Sequence, residues 1–333
     1  MLINYRVIYI RHLIWLRLKM VVDKNSPPEF HRSFYGPRYW FTWLGLGFFY
    51  VLGRLPMSAS LLFGQMLGDL FFYVARSRRR ICEINIALCF PHLSAAEQRA
   101  LVHNIMRSTG KSIVESAVAL WGPDSQFKQR YTITGLEHIE AAQAQGQGVL
   151  LVGCHFTTLD AAARILAFHV KYDLLYRKDV NPLLAYKLTT AREKFIGNAI
   201  VRKDTRQLIK NLRKGNVVWY APDQDYGVKH GVFAPFFGVQ AATVVATARI
   251  VQMSKAAVIP FAHYRDEHNR YHLVLQPALQ DYPSGDDVAD ATRINHIIEA
   301  AITKQPDQYL WVHRRFKTRP MGEASVYPKK QRR

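Results

Sequence analysis

The central part of the chain alternates short apolar runs with longer segments of helical pattern. The runs are short enough and rich enough in β-branched and aromatic residues to predict strands. These strands are Tyr131–Thr134, Val149–Val152, Leu174–Tyr176, Val217–Tyr220, Val258–Ala262 and Tyr271–Leu275. Helices are predicted near Thr157–Phe168, Leu183–Phe195, Thr205–Arg213, Ala241–Met253 and Ala289–Lys304. The alternation indicates an α/β fold with a mainly parallel or mixed sheet flanked by helices.

Two apolar segments lie ahead of this domain. Residues 39–53 are uncharged and rich in Trp and Tyr, which favour membrane interfaces, but they fall short of the roughly 20 residues that span a bilayer. Leu61–Ala75 contains one charge, Asp69, and ends in Arg76-Ser77-Arg78-Arg79-Arg80. Arginines beside an apolar stretch suit the anionic cytoplasmic leaflet. We therefore predict a membrane-anchoring helical segment over residues 37–80.

Boundaries follow from these patterns. Residues 1–36 form a basic extension and a proline-containing linker, and the extension is either an interfacial amphipathic helix or unstructured chain. In the globular domain, 81–324, Ser94 and Glu97 match a capping box that opens a helix to about Ala119. After Val288 we expect a helix, a strand and a basic tail at 325–333.

Composition narrows the partners. Lys and Arg outnumber Asp and Glu by 45 to 25, which gives a net charge of +20. That charge favours nucleic acid, an anionic membrane face, or acidic proteins and phosphorylated ligands. The 3 cysteines are widely spaced, so they indicate neither a zinc site nor a disulfide framework.

The sharpest candidate site is His155 with Asp160, directly after the apolar run 149–152. Functional groups of α/β sheets gather beyond the carboxyl ends of strands. A carboxylate in the next helix can hydrogen-bond one ring nitrogen while the other takes a proton from a hydroxyl group. A structural histidine beside a helix-capping aspartate explains the same spacing. The neighbouring Cys154 is expected to be a small buried side chain rather than a nucleophile.

Two further segments contain charged residues that are suited to binding a ligand or a metal ion. The block 177–214 contains eleven cations against three carboxylates, and Arg is suited to capturing phosphate or carboxylate. A strand then leads into Asp223-Gln224-Asp225, which fits a divalent-ion site or, as we prefer, a turn whose carboxylates orient arginines. Residues 311–320 place cations between aromatics, but no nucleic-acid or nucleotide-binding motif accompanies them.

These motifs resemble those of the late acyltransferases of lipid A biosynthesis, most closely the Kdo-dependent lauroyltransferase branch. The resemblance extends from about Pro37 to Pro320. It rests on four stretches in order: Leu88-Cys89-Phe90-Pro91, Val152-Gly153-Cys154-His155-Phe156, Ala221-Pro222-Asp223-Gln224-Asp225-Tyr226-Gly227 and His313-Arg314-Arg315-Phe316-Lys317-Thr318-Arg319-Pro320.

The resemblance implies a glycerophosphate-acyltransferase-like fold, a single membrane helix and a catalytic domain facing the cytoplasm at the cell inner membrane. It implies acyl carrier protein as the donor and a tetraacylated, bisphosphorylated, Kdo-bearing lipid A precursor as the acceptor, with no metal, cofactor or nucleic acid. His155 and Asp160 match the catalytic pair, and Arg192 and Asp223 match positions implicated in substrate binding or activity. Asp160 stands where close relatives have Glu.

Two alternatives stay open at the level of sequence. A glycerolipid or lysophospholipid acyltransferase shares the His-x-x-x-x-Asp spacing, although those enzymes have a Phe-Pro-Glu-Gly type block where this chain reads Ala221-Pro222-Asp223. A non-catalytic basic protein that binds membranes or nucleic acid is the second. Lauroyl is the first expectation for the acyl chain, ahead of myristoyl and palmitoleoyl.

Overall fold

The computed structural model describes residues 29–176 and 181–328. The predictions for the N-terminal extension before residue 29 and for the last residues of the basic tail therefore lie outside the described part of the chain.

A seven-stranded mixed sheet forms the centre of the domain. Its order is β1-β9-β8-β2-β5-β3-β4, with β8 and β9 antiparallel and the other neighbouring pairs parallel. A separate antiparallel hairpin joins β6 and β7. The strands are β1 (Tyr131–Thr134), β2 (Val149–Val152), β3 (Tyr172–Tyr176), β4 (Ala199–Val201), β5 (Val217–Tyr220), β6 (Gly231–Phe236), β7 (Val239–Val244), β8 (Ala257–Arg265) and β9 (Tyr271–Leu275).

Helices cover both faces of the sheet, which confirms the predicted α/β class. They are α1 (Trp40–Arg54), α2 (Met57–Val74), α3 (Arg76–Cys89), α4 (Ala95–Trp121), α5 (Leu136–Ala144), α6 (Leu159–Leu166), α7 (Pro182–Arg192), α8 (Thr205–Arg213), α9 (Ala246–Ser254) and α10 (Asp287–Lys304). Short 3-10 helices lie at Arg32–Tyr35, Pro37–Tyr39, Asp124–Gln126, Val228–His230 and Pro306–Gln308.

The pleat of the central strand β2 divides the apolar core in two. Leu150 and Val152 belong to the cluster that contains residues of α3, α8, α9 and α10. Val149 and Leu151 belong to the cluster that contains residues of α5 and α6. All four side chains are buried, because this strand lies inside the sheet with helices on either face.

The long helix α4 begins at the predicted capping box. Ser94 Oγ accepts the Glu97 N–H, and the Glu97 carboxylate accepts the Ser94 N–H at 2.8 Å. Both α1 and α2 pack against α4. Gly64 and Gly68 of α2 meet Gly110 of α4 so closely that a Cβ added at Gly64 would lie 2.7 Å from Lys111 Cα. Only glycine permits this approach of two helix backbones.

Among the described residues, α2 is the helix that is long and apolar enough to cross a membrane, with 18 residues and a mean hydropathy of 1.3. A third of it is buried inside the protein. The other predicted apolar segment forms α1, whose 15 residues extend only about 22 Å, short of a bilayer's hydrocarbon core.

Among the predicted elements, the structure differs most over Ala241–Met253, for which the sequence predicts one helix. Its first part is strand β7, and only the second part is the helix α9. The turn of the β6–β7 hairpin is Phe237-Gly238, with φ of 48° and 75°. Two positive φ values fit a type I′ hairpin, but Phe at the first position hides the usual Asn-Gly signal. Strands β4 and β6 and the expected strand after α10 were also mispredicted.

Candidate active site

Two functional side chains meet because two neighbouring strands end at the same level. Strands β2 and β5 are parallel, and Val152 at the end of one pairs with Tyr220 at the end of the other. His155 and Asp223 each lie three residues beyond these ends. The loops that follow parallel strands emerge at one edge of the sheet, which brings the imidazole to the carboxylate.

The pair is joined by two hydrogen bonds. His155 Nδ1 lies 2.6 Å from Asp223 Oδ1, and the backbone N–H of His155 donates to Asp223 Oδ2 at 3.1 Å. The Asp223 side chain is 2% exposed, whereas that of His155 is 30% exposed. A carboxylate accepts, so Nδ1 holds the proton and the lone pair of a neutral imidazole lies on Nε2.

The electrostatics of the pair favour a proton acceptor. Burial opposes protonation of His155, but the charge and hydrogen bond of Asp223 outweigh it, so the pKa of His155 lies above its ordinary value. Burial likewise opposes ionisation of Asp223, yet His155 and a hydrogen bond from Tyr309 lower the pKa of this carboxyl to about 2. Asp223 therefore stays ionised beside the ring throughout the physiological range.

The segment after α10 holds the histidine loop in place. The Thr157 N–H donates to the Gln308 carbonyl at 2.7 Å, and the Leu310 N–H donates to the His155 carbonyl at 3.0 Å. Phe156 and Tyr309 form the bridge between these backbone contacts. The loop is thus tied on one side to the sheet and on the other to the C-terminal part of the chain.

Asp160 faces a different partner from the one predicted. It lies in the first turn of α6, where Oδ2 accepts the Ser116 hydroxyl at 2.7 Å and Oδ1 accepts Arg192 Nη2 at 3.0 Å. Burial opposes its ionisation, but Arg192 and Ser116 leave the pKa of Asp160 below its ordinary value. The expected contact between Asp160 and the His155 ring is replaced by the one from Asp223, because the turn into α6 directs Asp160 towards α4 and α7.

Arg192 is the last residue of α7, and its side chain is 22% exposed. Nε and Nη2 both approach Asp160 Oδ1, at 3.3 and 3.0 Å, so the guanidinium is held by the carboxylate while part of it reaches solvent. The structure brings His155, Asp160, Arg192 and Asp223 to one edge of the sheet, as one imidazole–carboxylate pair and one guanidinium–carboxylate pair.

In the described contacts, neither Asp223 nor Asp225 orients an arginine. Asp225 accepts the Gly227 N–H at 2.8 Å and both the N–H and hydroxyl of Thr318, at 2.8 and 2.9 Å. The preferred reading, in which these carboxylates orient arginines, was therefore wrong about the partners. Over residues 29–176 and 181–328, no group of three or more His, Cys, Asp or Glu is arranged to hold a metal ion.

Two other residues from the sequence motifs, Cys154 and Arg315, have structural roles. Burial raises the pKa of the Cys154 thiol well above its ordinary value, which fits a packing residue. Arg315, from the cation-and-aromatic stretch, is 1% exposed and donates to Ala242 O and Thr243 Oγ1. This buried arginine is part of the core rather than a nucleic-acid contact.

Sequence reasoning missed Ser116 and Tyr309, which contact the two carboxylates of the site. Neither residue stands in a local motif, since both are remote in sequence from their partners. The Asp223–His155 pairing had a usable signal: both residues follow a predicted strand by the same number of positions.

A partly exposed imidazole backed by a buried carboxylate at the carboxyl edge of an α/β sheet suits an enzyme that removes a proton from a hydroxyl group. Comparison with protein families identifies the class of enzyme. Residues 27–318 match the family model described as bacterial lipid A biosynthesis acyltransferase, and the chain belongs to this family. Its activity is therefore acyl transfer in lipid A biosynthesis.

Individual relatives agree with this assignment. The chain is 39% identical over 302 residues to the lipid A biosynthesis lauroyltransferase of Escherichia coli, covering 90% of this chain and 99% of that one. It is 37% identical over 301 residues to the palmitoleoyltransferase of the same pathway and organism, covering 90% and 98%.

Among solved structures, the 1-acyl-sn-glycerophosphate acyltransferase of Thermotoga maritima aligns with 12% identity, a TM-score of 0.35, and coverage of 74% of this chain and 97% of that one. The mixed sheet with helices on both faces, rather than this distant likeness, establishes the α/β class.

Proposed function

We propose that this enzyme transfers a fatty acyl chain, lauroyl first, from acyl carrier protein to the 3-hydroxyl of an acyl chain on Kdo(2)-lipid IV(A). The observation behind the proposal is the His155–Asp223 pair, in which a buried ionised carboxylate holds Nδ1 and leaves Nε2 as the proton acceptor. Membership of the family supplies the substrate class.

His155 acts as the general base in this proposal. Nε2 takes the proton of the acceptor hydroxyl as its oxygen attacks the thioester carbonyl, and a tetrahedral intermediate forms. The intermediate collapses with loss of the carrier thiolate, which receives the proton from the imidazolium. Asp223 keeps the ring in the required tautomer and stabilises its charged form, while Tyr309 and the His155 N–H fix the carboxylate.

Arg192 binds an anionic group of the acceptor or the donor. A guanidinium is planar and permanently charged, and the contact with Asp160 orients it towards the site while leaving part of it exposed. Asp160 accordingly acts through Arg192, and Ser116 fixes Asp160 by its hydrogen bond. This division differs from the sequence expectation, in which Asp160 orients the imidazole.

The membrane partner is the inner membrane, and the contact surface is the apolar face of α1 and α2. Large apolar side chains on this face are unusually exposed: Phe41, Leu44, Phe48, Val51, Leu62, Met66, Leu70 and Tyr73. A contiguous exposed apolar patch on one side of a domain marks a contact with a membrane or another protein. Arg54 and Arg76–Arg80 lie at its ends, where they suit anionic headgroups of the cytoplasmic leaflet.

The charge of +20 supports the remaining partners. The acceptor has phosphates and Kdo carboxylates, and acyl carrier protein is acidic, so both are attracted to a basic enzyme. The choice of lauroyl over palmitoleoyl rests on a small difference in identity. This chain is 39% identical to the lauroyltransferase and 37% identical to the palmitoleoyltransferase.

The test is mass spectrometry of the products that the purified protein forms from a panel of acyl carrier protein thioesters and the Kdo-bearing precursor. We expect a mass increase of one acyl group, greatest with the lauroyl thioester. Transfer to lysophosphatidic acid in preference to the lipid A precursor would contradict the acceptor assignment. Preference for another thioester would correct the chain length alone.

A further inference from the structure

A second polar site lies beside the catalytic edge. It is a cavity of about 610 Å³ between α2, α4, the β8–β9 turn and the segment after α10. Every residue that lines it is polar or charged. The volume falls within the range of small-molecule sites, whereas the lining is far more polar than that of a site for an apolar ligand.

The cavity and the active site share a wall. Strand β8 runs parallel to β2, and Arg265 extends it beyond Pro260, the partner of Val152, so Arg265 lies at the same edge as His155. Gln308 joins the two sites. Its carbonyl accepts the Thr157 N–H, and its side chain makes two hydrogen bonds, of 2.9 and 2.6 Å, with the backbone of Arg265.

The cavity also borders the apolar face of the N-terminal helices. Gln65 lines it from α2, and the adjacent Met66 and the nearby Leu62 are exposed on that helix. A ligand in the cavity can therefore have its polar part among these side chains and apolar chains along α2.

Of the cations that line the cavity, Lys111 is the one without an ion pair to any residue in 29–176 or 181–328. Arg107 pairs with Asp69 at 2.6 Å, and Arg265 forms a buried ion pair with Glu115. Burial is the main factor that lowers the pKa of Lys111, and the charge of Arg265 lowers it further. The carboxylates of Glu115 and Asp307 offset these effects only in part, so a bound anion would stabilise the charged ammonium.

Three carboxylates line the cavity, and each has a polar neighbour; the exposed Glu267 lies 3.5 Å from His268 Nε2. Asp266 lies 2.9 Å from His272 Nε2, and Asp307 accepts the Ser108 hydroxyl at 2.8 Å. Amide side chains, including those of Gln65, Asn104 and Asn269, complete the lining. A free ammonium among amides and carboxylates fits a ligand that has both an anionic group and several hydroxyls.

We propose that this cavity binds a phosphorylated sugar of the acyl acceptor, with Lys111 contacting the phosphate and the amides contacting sugar hydroxyls. The inference rests on the proposed function for the identity of the acceptor. A phosphate could also come from the prosthetic arm of the carrier protein, but the border with α2 favours a sugar whose own acyl chains lie along that apolar helix.

Steady-state kinetics of Lys111→Gln in the full-length protein tests the assignment, with each substrate varied in turn. We expect the KM for the phosphorylated acceptor to rise about tenfold, the worth of one charged hydrogen bond, with kcat and the donor KM within about twofold of wild type. Phosphatase-treated acceptor should abolish the difference between the proteins. Lys111→Arg should retain most of the affinity.

The matched control is Lys171→Gln, an exposed lysine just before β3 at the opposite edge of the sheet, which should behave as wild type. An unchanged acceptor KM for Lys111→Gln, an equal loss with the phosphatase-treated acceptor, or a rise in the donor KM alone would overturn the proposal.

Binding of glucosamine 1-phosphate, followed by ligand-observed NMR, separates this inference from the proposed function. We expect binding to wild type that is lost in Lys111→Gln, and none of unphosphorylated glucosamine. Equal binding to both proteins overturns the cavity assignment. Absence of acyl transfer by wild type would instead contradict the proposed function and leave Lys111-dependent binding as support for the cavity.

Discussion

Two carboxylates stand at the same edge of the sheet and do different work. Asp223 contacts His155, and Asp160 contacts Arg192. Both acids are largely buried, both have lowered pKa values, and both nitrogen-bearing partners are partly exposed. The difference lies in the partner, since an imidazole changes its charge near neutral pH and a guanidinium does not.

This contrast separates moving a proton from holding a charge. In the proposed mechanism, the His155–Asp223 pair gains and loses a proton, whereas the Arg192–Asp160 pair presents a permanent positive charge of fixed orientation. Variants of the His155–Asp223 pair should therefore change turnover and its pH dependence, and variants of the Arg192–Asp160 pair should change the KM for a substrate.

The largest effect is expected from His155→Ala. Removing the proposed general base should lower kcat/KM by about 10²–10⁴-fold without unfolding the protein, because the ring is partly exposed at the site. Initial rates of acyl transfer together with a circular dichroism melt measure both properties. His92→Ala, an exposed histidine outside the site, is the control. Normal turnover by folded His155→Ala would end the assignment of the base.

Asp223→Asn should lower turnover by about 10²-fold, since an amide can select the tautomer that places the proton on Nε2. In wild type, activity should rise with pH as His155 loses its proton, with a midpoint above 6.5, because Asp223 raises the pKa of the ring. Loss of the negative charge should move this midpoint to lower pH.

The pH–rate profiles of wild type, Asp223→Asn and Asp160→Asn decide between the two carboxylates. Only Asp223→Asn should shift the acidic limb. A shift in Asp160→Asn instead would restore the sequence prediction that Asp160 orients the imidazole.

Arg192→Lys keeps the charge but loses the planar, two-pronged donor, so the apparent KM of one substrate should rise about tenfold. Kinetics with acceptor and donor varied separately, at two salt concentrations, identify which substrate it contacts. Arg206→Lys, an exposed arginine of α8 in the same basic block, should match wild type. If Arg192→Lys also matches wild type for both substrates, Arg192 is only a surface charge.

The smallest effect is expected from Asp160→Glu. A longer carboxylate can still accept from Arg192 and Ser116, so we expect a loss of no more than about fivefold, against about tenfold or more for Asp160→Asn. The same steady-state assay compares the two. Equal impairment would show that the exact position of the carboxylate, and not its charge, sets the orientation of Arg192.

Sequence patterns predicted most of the framework. Strands β1, β2, β5 and β9 and the helix α8 have the bounds that the sequence predicted, because short strand-forming runs and a helical pattern ending before Gly215 mark them locally. The β6–β7 hairpin was missed because its turn lacks the usual residues. Sequence patterns therefore predict an element well where its own residues, and not distant contacts, determine its conformation.

The pairing within the site is a different matter. The resemblance supplied His155, Asp160, Arg192 and Asp223, but the His-x-x-x-x-Asp spacing suggested a partner five residues away. The observed partner of His155 is 68 residues away and is set by the adjacency of β2 and β5. Which strands become neighbours is decided by the packing of the whole sheet. The equal spacing of His155 and Asp223 from their strands therefore identifies the pair only once β2 and β5 are known to be adjacent.

The glycine contact between α2 and α4 also fixes how far Ser116 lies along the α4 axis from the point where α2 packs. Gly110 meets α2, and Ser116, which holds Asp160, follows it on the same helix about 9 Å further along the axis. The backbones touch there without intervening side chains, so the two helices have little room to slide. In the proposed function, the catalytic edge therefore stands at a constant distance from the membrane-contact surface of α1 and α2, and we expect only a hydroxyl that reaches that level to be acylated.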